Sequence, residues 1–163
     1  MRLVRLSLTL ICGLAVLTIF AGNLLAQDHQ AGTWKRNPDK SKYDPGPAPT
    51  MGSVRTFEDR GGGLWVAITN AVPAEPTPRI ATAFKRDGKD YPLLVKGVTA
   101  YQVISFRKVG SRSWEYIVKT DGKAGTTKSV ETFSADGKTY TVEVTGMNQQ
   151  GKPVHNVEIW EKQ

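Results

Sequence analysis

The sequence predicts an all-β domain in which eight to ten antiparallel strands follow one another as a meander and close into a barrel. Three observations lead to this fold class. After the N-terminal 26 residues, no stretch keeps a helical hydrophobic period over three turns. Short runs rich in Val, Ile, Thr and aromatic residues recur instead, and glycine-containing turn signals separate them. A sandwich of two sheets is the alternative, because it also buries one apolar face of an antiparallel sheet.

The N-terminal residues have the pattern of an export signal. Two arginines precede an apolar run that begins at Leu6, and Ala26 offers a cleavage point. The apolar run is shorter than the roughly 20 residues of a membrane span, although a retained anchor is the alternative interpretation. The sequence therefore predicts a signal peptide over 1–26, a single domain over 27–163, and a periplasmic or extracellular location.

The composition of the predicted mature chain limits its chemistry. The one cysteine, Cys12, lies in the signal, so no disulfide can form after cleavage. The chain has 22 basic and 15 acidic residues, and loss of the two signal arginines leaves 20 and 15. This excess is small and the charges are interleaved, which predicts a solvated surface and no nucleic-acid partner.

Turn signals divide the rest of the chain into predicted strands. These are approximately 31–36, 52–59, 63–72, 78–86, 91–95, 99–108, 112–120, 126–134, 138–146 and 153–161. The turn glycines Gly122, Gly137 and Gly151 are 15 and 14 residues apart, so each hairpin leg holds one long strand. Prolines confine 37–50 and 70–78 to loops, because proline cannot donate to a strand ladder. The first loop is either a lid or an exposed crossover.

Several predicted strands alternate between apolar and polar side chains, so one face of the sheet is aromatic. Trp114 and Tyr116 share one face of their strand, and Tyr140 lies on an apolar face of another. Inside a barrel of about eight strands, such a face is either a filled core or the wall of a small-ligand cavity. The rings that we expect to line a cavity are Trp114, Tyr116, Tyr140, Trp65, Phe84 and Tyr101.

A Gly-x-Trp motif, Gly32 to Trp34, lies on the first predicted strand. This motif, followed by a meander, resembles the opening of lipocalins and their calycin relatives, and the chain resembles a small exported bacterial lipocalin-like protein. The resemblance implies a barrel over about 31–162, in which Trp34 packs as a plug across the closed end. It also implies a basic partner for that ring, here Lys162 or Lys152. Calycins include carriers, inhibitors and a few enzymes, so the fold alone does not fix function.

Residue patterns for catalysis and metal binding are sparse. The predicted mature chain has two histidines, His29 and His155, and no cysteine, whereas nucleophilic catalysis and zinc sites need several such groups together. Four glutamates lie on successive strands, where paired carboxylates could support glycoside hydrolysis. They are Glu115, Glu131, Glu143 and Glu158. Because each alternates with apolar neighbours, we expect them outside the barrel. We predict no catalytic residue, metal or cofactor.

The sequence favours an exported, non-catalytic protein that binds a small hydrophobic or amphipathic molecule inside the barrel. The alternative is a structural or cell-surface interaction module with a filled barrel, whose protein partner is unknown. Its contact surface would be the basic segment, which we define as Lys35, Arg36, Lys40 and Lys42. A calycin-type enzyme with His155 as its base is a third hypothesis. An internal cavity distinguishes the first from the second.

Overall fold

The computed structural model describes residues 29–147 and 151–163, so the predicted signal peptide over 1–26 lies outside the described residues. This part of the chain contains eleven β-strands. They are β1 (Gly32–Lys42), β2 (Gly52–Asp59), β3 (Trp65–Val72), β4 (Ile80–Phe84), β5 (Asp90–Val95), β6 (Gln102–Gly110), β7 (Ser113–Thr120), β8 (Lys123–Ala124), β9 (Thr127–Phe133), β10 (Thr139–Met147) and β11 (Pro153–Lys162). Within these ranges, no helix is long and apolar enough to cross a membrane.

The strands form one antiparallel sheet that closes on itself. Neighbours in the chain pair in order from β1 to β7, and β7 pairs with both β8 and β9. The pairing then continues through β10 to β11, and β11 pairs with β1 to complete the ring. The two-residue β8 only extends the hairpin, so ten strands make the wall. This confirms the predicted all-β barrel over the sandwich.

Turn chemistry explains the short connections. Asp121 and Gly122 both have positive φ angles, 49° and 77°, which is the backbone that a tight hairpin between twisted strands requires. Gly137 and Gly151, the other two evenly spaced glycines, also have positive φ angles. The spacing of these glycines therefore predicted the hairpins correctly.

The first strand is longer than predicted, because it continues past Pro38 to Lys42. Its register with β11 shifts between Asn37 and Lys42. In this irregular stretch, the Ser41 hydroxyl donates to the Asn37 carbonyl at 2.6 Å and accepts from the backbone N–H of Ile159 at 3.0 Å. Side-chain hydrogen bonds thus replace part of the ladder, which lets proline occur within the strand.

Alternating strand directions gather the connections at two ends of the barrel. We call one the closed end; it contains residues 29–31, 60–64, 85–89, 111–112 and 134–138. The other is the open end; it contains residues 43–51, 73–79, 96–101, 121–122 and the described part of the last turn at Gly151. Large interior rings are concentrated in the half next to the closed end. These rings are Trp34, Phe57, Trp65, Phe84, Phe106, Trp114, Phe133, Tyr140 and Trp160.

Trp34 is fully buried at the centre of this aromatic core. Its ring lies edge-on to Tyr140 and Phe133, with centroid distances of 5.0 and 5.5 Å. Its indole N–H donates to the Gln30 carbonyl at 2.9 Å, and the Lys162 ammonium lies 5.1 Å from its centroid. Edge-on aromatic packing, a satisfied N–H and a cation over the ring all favour this position.

We expect Trp34→Ala to lower the free energy of unfolding by about 3–5 kcal/mol, because it removes a fully buried ring and leaves a cavity. Urea denaturation followed by circular dichroism measures this loss. Lys35→Ala, on the exposed side of the same strand, is the control and should change stability little. A loss below about 1 kcal/mol for Trp34→Ala would contradict its central place in the core.

Candidate functional site

A cavity of about 330 Å³ lies in the half of the barrel next to the open end. The cavity exists because small side chains replace the rings there: Ala67, Thr69 and Thr82 occupy inward positions on β3 and β4. Its apolar wall includes Ile80, Leu93, Val95, Ile104 and Val118. Its polar groups are Arg55, Thr69, Thr82, Gln102, Tyr116 and Glu131. A mostly apolar wall with a few polar groups is typical of small-molecule sites.

The cavity opens beside the loop 96–101. A surface groove at the open end shares four lining residues with the cavity: Leu93, Val95, Val98 and Gln102. Val98 is 45% exposed and stands at this junction. The groove and the cavity are therefore adjacent compartments, and Val98 is the most exposed apolar residue that lines both.

Arg55 places a cation in the cavity wall. Its Nε donates to the Thr69 hydroxyl at 2.9 Å, its Nη1 donates to the Tyr140 hydroxyl at 3.3 Å, and the guanidinium carbon lies 4.7 Å from the Trp160 ring centroid. Within residues 29–147 and 151–163, no carboxylate forms an ion pair with it. Burial acts to lower the pKa of Arg55, but nearby tyrosine and glutamate groups raise it overall, so the guanidinium stays charged.

A second arginine, Arg86, is paired. Its Nη2 donates to Glu131 Oε1 at 2.8 Å, and both side chains are almost completely buried. The guanidinium carbon lies 4.0 Å from the Trp114 ring centroid, and the group also donates to Gln30 Oε1. Burial raises the pKa of the Glu131 carboxyl, and the positive charges of Arg86 and Arg55 offset this only in part. One carboxylate oxygen of Glu131 is therefore committed to Arg86.

Two of the four glutamates that we expected outside lie inside the barrel. Glu131 is 1% exposed, and Glu158 accepts hydrogen bonds from Arg36 Nη1 at 3.3 Å and from the Tyr43 hydroxyl at 3.1 Å. Each shares its strand face with an inward ring two residues later, Phe133 or Trp160, because side chains alternate along a strand. The prediction was wrong for these two. Glu115 and Glu143 lie on the outer face.

The basic segment does not form one surface. Arg36 is 8% exposed, because it shares the inward face of β1 with Trp34, and its Nη2 donates to the Met51 carbonyl. Lys40 pairs with Glu161 at 2.7 Å on the outside. The four cations are therefore divided between the interior and the exterior, which corrects their predicted role as a common contact surface.

We expected six rings to line a ligand cavity, and five of them lie inside the barrel. They are Trp114, Tyr116, Tyr140, Trp65 and Phe84. Of these, Tyr116 borders the cavity, and the others belong to the aromatic half. Tyr101 is 64% exposed at the open end, which corrects its predicted place. The reason is alternation: β6 begins at Gln102, and Tyr101 is out of phase with the inward Ile104 and Phe106.

The histidine of the enzyme hypothesis lies outside the barrel. His155 is exposed, and its Nε2 lies 2.9 Å from Glu143 Oε1 on the outer face. The structure therefore removes the candidate base on which that hypothesis depended. Within the described ranges, no three His, Cys, Asp or Glu side chains come together in an arrangement that could hold a metal ion.

Comparison with known proteins supports the fold. No protein-family model matches the chain, and a search of curated proteins finds no match. Solved structures do match. A single-site mutant of the fluorescent protein UnaG has 17% identity and a TM-score of 0.57, covering 83% of this chain and 97% of that chain. Fatty-acid-binding protein 1 of Echinococcus granulosus has 16% identity and a TM-score of 0.56, covering 83% and 98%.

A third solved structure is the zebrafish ileal bile acid-binding protein complexed with cholic acid. It has 13% identity and a TM-score of 0.57, covering 83% of this chain and 99% of that chain. Identities this low show the shared fold alone. The chain therefore shares the closed antiparallel barrel fold of these three solved structures, as the sequence predicted.

We expect Glu131→Gln to change how stability depends on pH. Because the folded-state pKa is raised above the usual 4.5, this carboxyl contributes its stability fully below that value and loses it as the pH rises through the folded-state pKa. The non-titrating glutamine has no such loss. The unfolding free energy of the wild type should therefore fall relative to Glu131→Gln as the pH rises above about 4.5 and through the folded-state pKa, by about 1.4 kcal/mol per unit of pKa difference.

Urea denaturation at a series of pH values measures this difference. Ser129→Ala, on the same strand face, is the control, because it introduces or removes no group that titrates in this range. Its stability difference from the wild type should stay constant. A constant difference for Glu131→Gln as well, or one that moves in favour of the wild type, would contradict the raised pKa.

Proposed function

We propose that the protein is exported and binds a small amphipathic acid without converting it, holding the apolar part in the cavity and the anionic group at Arg55. Arg55 is the observation that carries this proposal. A buried cation is costly unless a counter-charge and hydrogen bonds compensate it. The two contacts of its Nε and Nη1 are to neutral hydroxyl oxygens, and Glu131 and Glu158 act on the guanidinium without forming an ion pair with it, so the anionic group of a ligand would add the direct charge contact that Arg55 does not have.

The chemistry of the guanidinium group favours a carboxylate. A planar guanidinium presents several N–H groups in a fork that matches a carboxylate, and charge-assisted hydrogen bonds are stronger than neutral ones. The Arg55 side chain is held in place by Thr69 and by the face of Trp160. The cation is thus oriented in advance, which lowers the entropy that a ligand loses on binding.

The cavity volume sets the ligand size. About 330 Å³ corresponds to about eleven water-sized groups at roughly 30 Å³ each. A short acyl chain with one acidic group, such as decanoate, has this size. Two of the structurally similar proteins are named for fatty acids and for bile acids, which supports an acidic apolar ligand but does not assign one.

Separate observations support export and count against the two alternative functions. The arginines, apolar run and Ala26 of residues 1–26 support export to the periplasm or the exterior. The cavity counts against a structural module with a filled barrel. The outward position of His155 counts against a calycin-type enzyme.

We expect Arg55→Gln to weaken decanoate binding about 10- to 100-fold, because it removes a charge-assisted hydrogen bond. Binding of the uncharged decan-1-ol should change little. Isothermal titration calorimetry measures both affinities. Arg107→Gln, which changes an exposed arginine on the outer face, is the matched control and should bind decanoate as the wild type does. Unchanged decanoate affinity in Arg55→Gln would refute the assignment of this residue.

We expect Val98→Trp to slow ligand association at least several-fold, because a large ring would narrow the passage between groove and cavity. Stopped-flow fluorescence with a fluorescent short-chain fatty-acid analogue gives the rate. Val109→Trp is the matched control, since Val109 is similarly exposed, 48%, but lies toward the closed end. Equal association rates in the two variants would show that ligand does not pass Val98.

A further inference from the structure

An uncharged groove lies on the outer wall of the barrel, across β3, β4 and β5. Its volume is about 330 Å³. Small side chains form its floor, because Ala81 and Ala83 point outward from β4 between larger side chains of the two neighbouring strands. The outward residues that line it, which we call the outer groove, are Val66, Ile68, Ala81, Ala83, Pro92 and Leu94.

One side chain of the outer groove projects from its rim. Leu94 is 69% exposed, the highest fraction among the large hydrophobic residues that the structure describes. It pairs across the ladder with Ala81, so a projecting side chain and the alanine floor lie side by side. A two-fold symmetric interface uses the same patch of both copies, so that patch must supply the projection and also the recess that receives it. The outer groove supplies both.

The charge distribution favours a second copy of this chain at this face. The chain without its predicted signal peptide has 20 basic and 15 acidic residues, so two copies repel each other over most of their surface. β3 and β4 are the only described strands without a charged residue, and Asp90, the one charge in β5, pairs with Lys119 at 2.7 Å. Repulsion is therefore weakest across the outer groove, where burial of apolar side chains is also favourable.

Two other occupants fit this face less well. An added β-strand finds no free edge, because β4 pairs with β3 on one side and with β5 on the other. A lipid surface is contacted preferentially by apolar residues that aromatic and basic side chains surround. The outward side chains of β3 and β4 include neither an aromatic nor a basic residue. A protein surface of matching shape therefore suits the face better.

We infer that the outer groove is the contact surface between two copies of this chain, with Leu94 of each copy packed over Ala81 and Ala83 of the other. The inference does not rest on the proposed function, because the outer groove and Arg55 lie on opposite faces of the sheet. Three strands about 4.8 Å apart and about five residues long cover roughly 240 Å² of sheet, whereas stable interfaces bury about 800 Å² on each partner. We therefore expect a weak dimer whose population rises with concentration.

Sedimentation equilibrium of the exported, processed protein from about 10 µM to about 1 mM tests this inference. The average molar mass of the wild type should rise toward that of a dimer. Leu94→Asp should weaken self-association at least about ten-fold, because two-fold symmetry places the new charge in the interface twice. Ala83→Glu, which fills the recess, should have the same effect. Both positions are exposed, so each variant should fold, and circular dichroism checks this.

Val109→Asp is the matched control, because it places the same charge at an exposed apolar position away from the outer groove and should associate as the wild type does. A wild type that stays monomeric at the highest concentration would overturn the inference. So would an equal loss in Val109→Asp, or self-association that survives both groove variants. Flotation with phosphatidylcholine vesicles tests the lipid alternative: vesicle binding that Leu94→Asp abolishes would assign this face to a lipid surface and also overturn the inference.

Discussion

Closure of the sheet is the constraint on which the rest of the structure depends. When β11 pairs with β1, ten strands fix a circumference larger than that of an eight-stranded barrel, whose interior side chains alone can fill. The chain fills one half of this interior with tryptophan, phenylalanine and tyrosine rings. In the other half it places alanine, threonine and valine, which cannot meet across the barrel. The cavity is the result of this difference in side-chain size along the axis.

The interior charges can be understood from the same geometry. Burying an ion pair costs desolvation that its attraction barely repays, so the Arg86–Glu131 pair is a weak explanation of stability by itself. Its position suggests another role. Glu131 forms its ion pair with Arg86 and acts on Arg55 only through its charge, so within the described ranges no carboxylate forms an ion pair with Arg55. The stacking of Arg86 on Trp114 then connects this pair to the aromatic half that supports it.

Sequence patterns predicted the barrel well but the polar interior poorly. Turn glycines and strand composition fix the meander, because each hairpin is a local event. Which face of each strand points into the barrel was harder to predict. In β9, Val130 and Phe133 lie on opposite faces, so hydrophobicity alone did not decide which side is inward, and Glu131 was misplaced. Trp34 and Arg36 are two residues apart on one strand, so their side chains share a face. If Trp34 is predicted to point inward, Arg36 is predicted to be buried, as it is.

Other features could not be predicted from a single sequence. The hydrogen bond between Gln102 and Thr120 depends on where Thr120 lies, which requires the pairing of β6 with β7. The charge around the cavity depends on which arginine pairs with Glu131; Arg55 lies on β2 and Arg86 in the loop after β4, both far from β9 in the sequence. These are properties of side chains brought together by closure, so they follow from the three-dimensional arrangement and not from local periodicity.

Exposed apolar side chains on the surface lie mainly at the end of the barrel that also contains the cavity. Within the described part of the chain, large exposed hydrophobic residues concentrate toward the open end: Val72, Leu94, Val98, Tyr101 and Met147, with Val109 as the exception. Charged side chains occur in the turns at both ends, for example Arg60 and Asp87 at the closed end and Glu75 and Lys96 at the open end. An apolar molecule therefore meets apolar side chains at the same end of the barrel at which the cavity lies. The small side chains inside and the exposed apolar side chains outside lie at the same end of the barrel, and both favour one route, past Val98 toward Arg55.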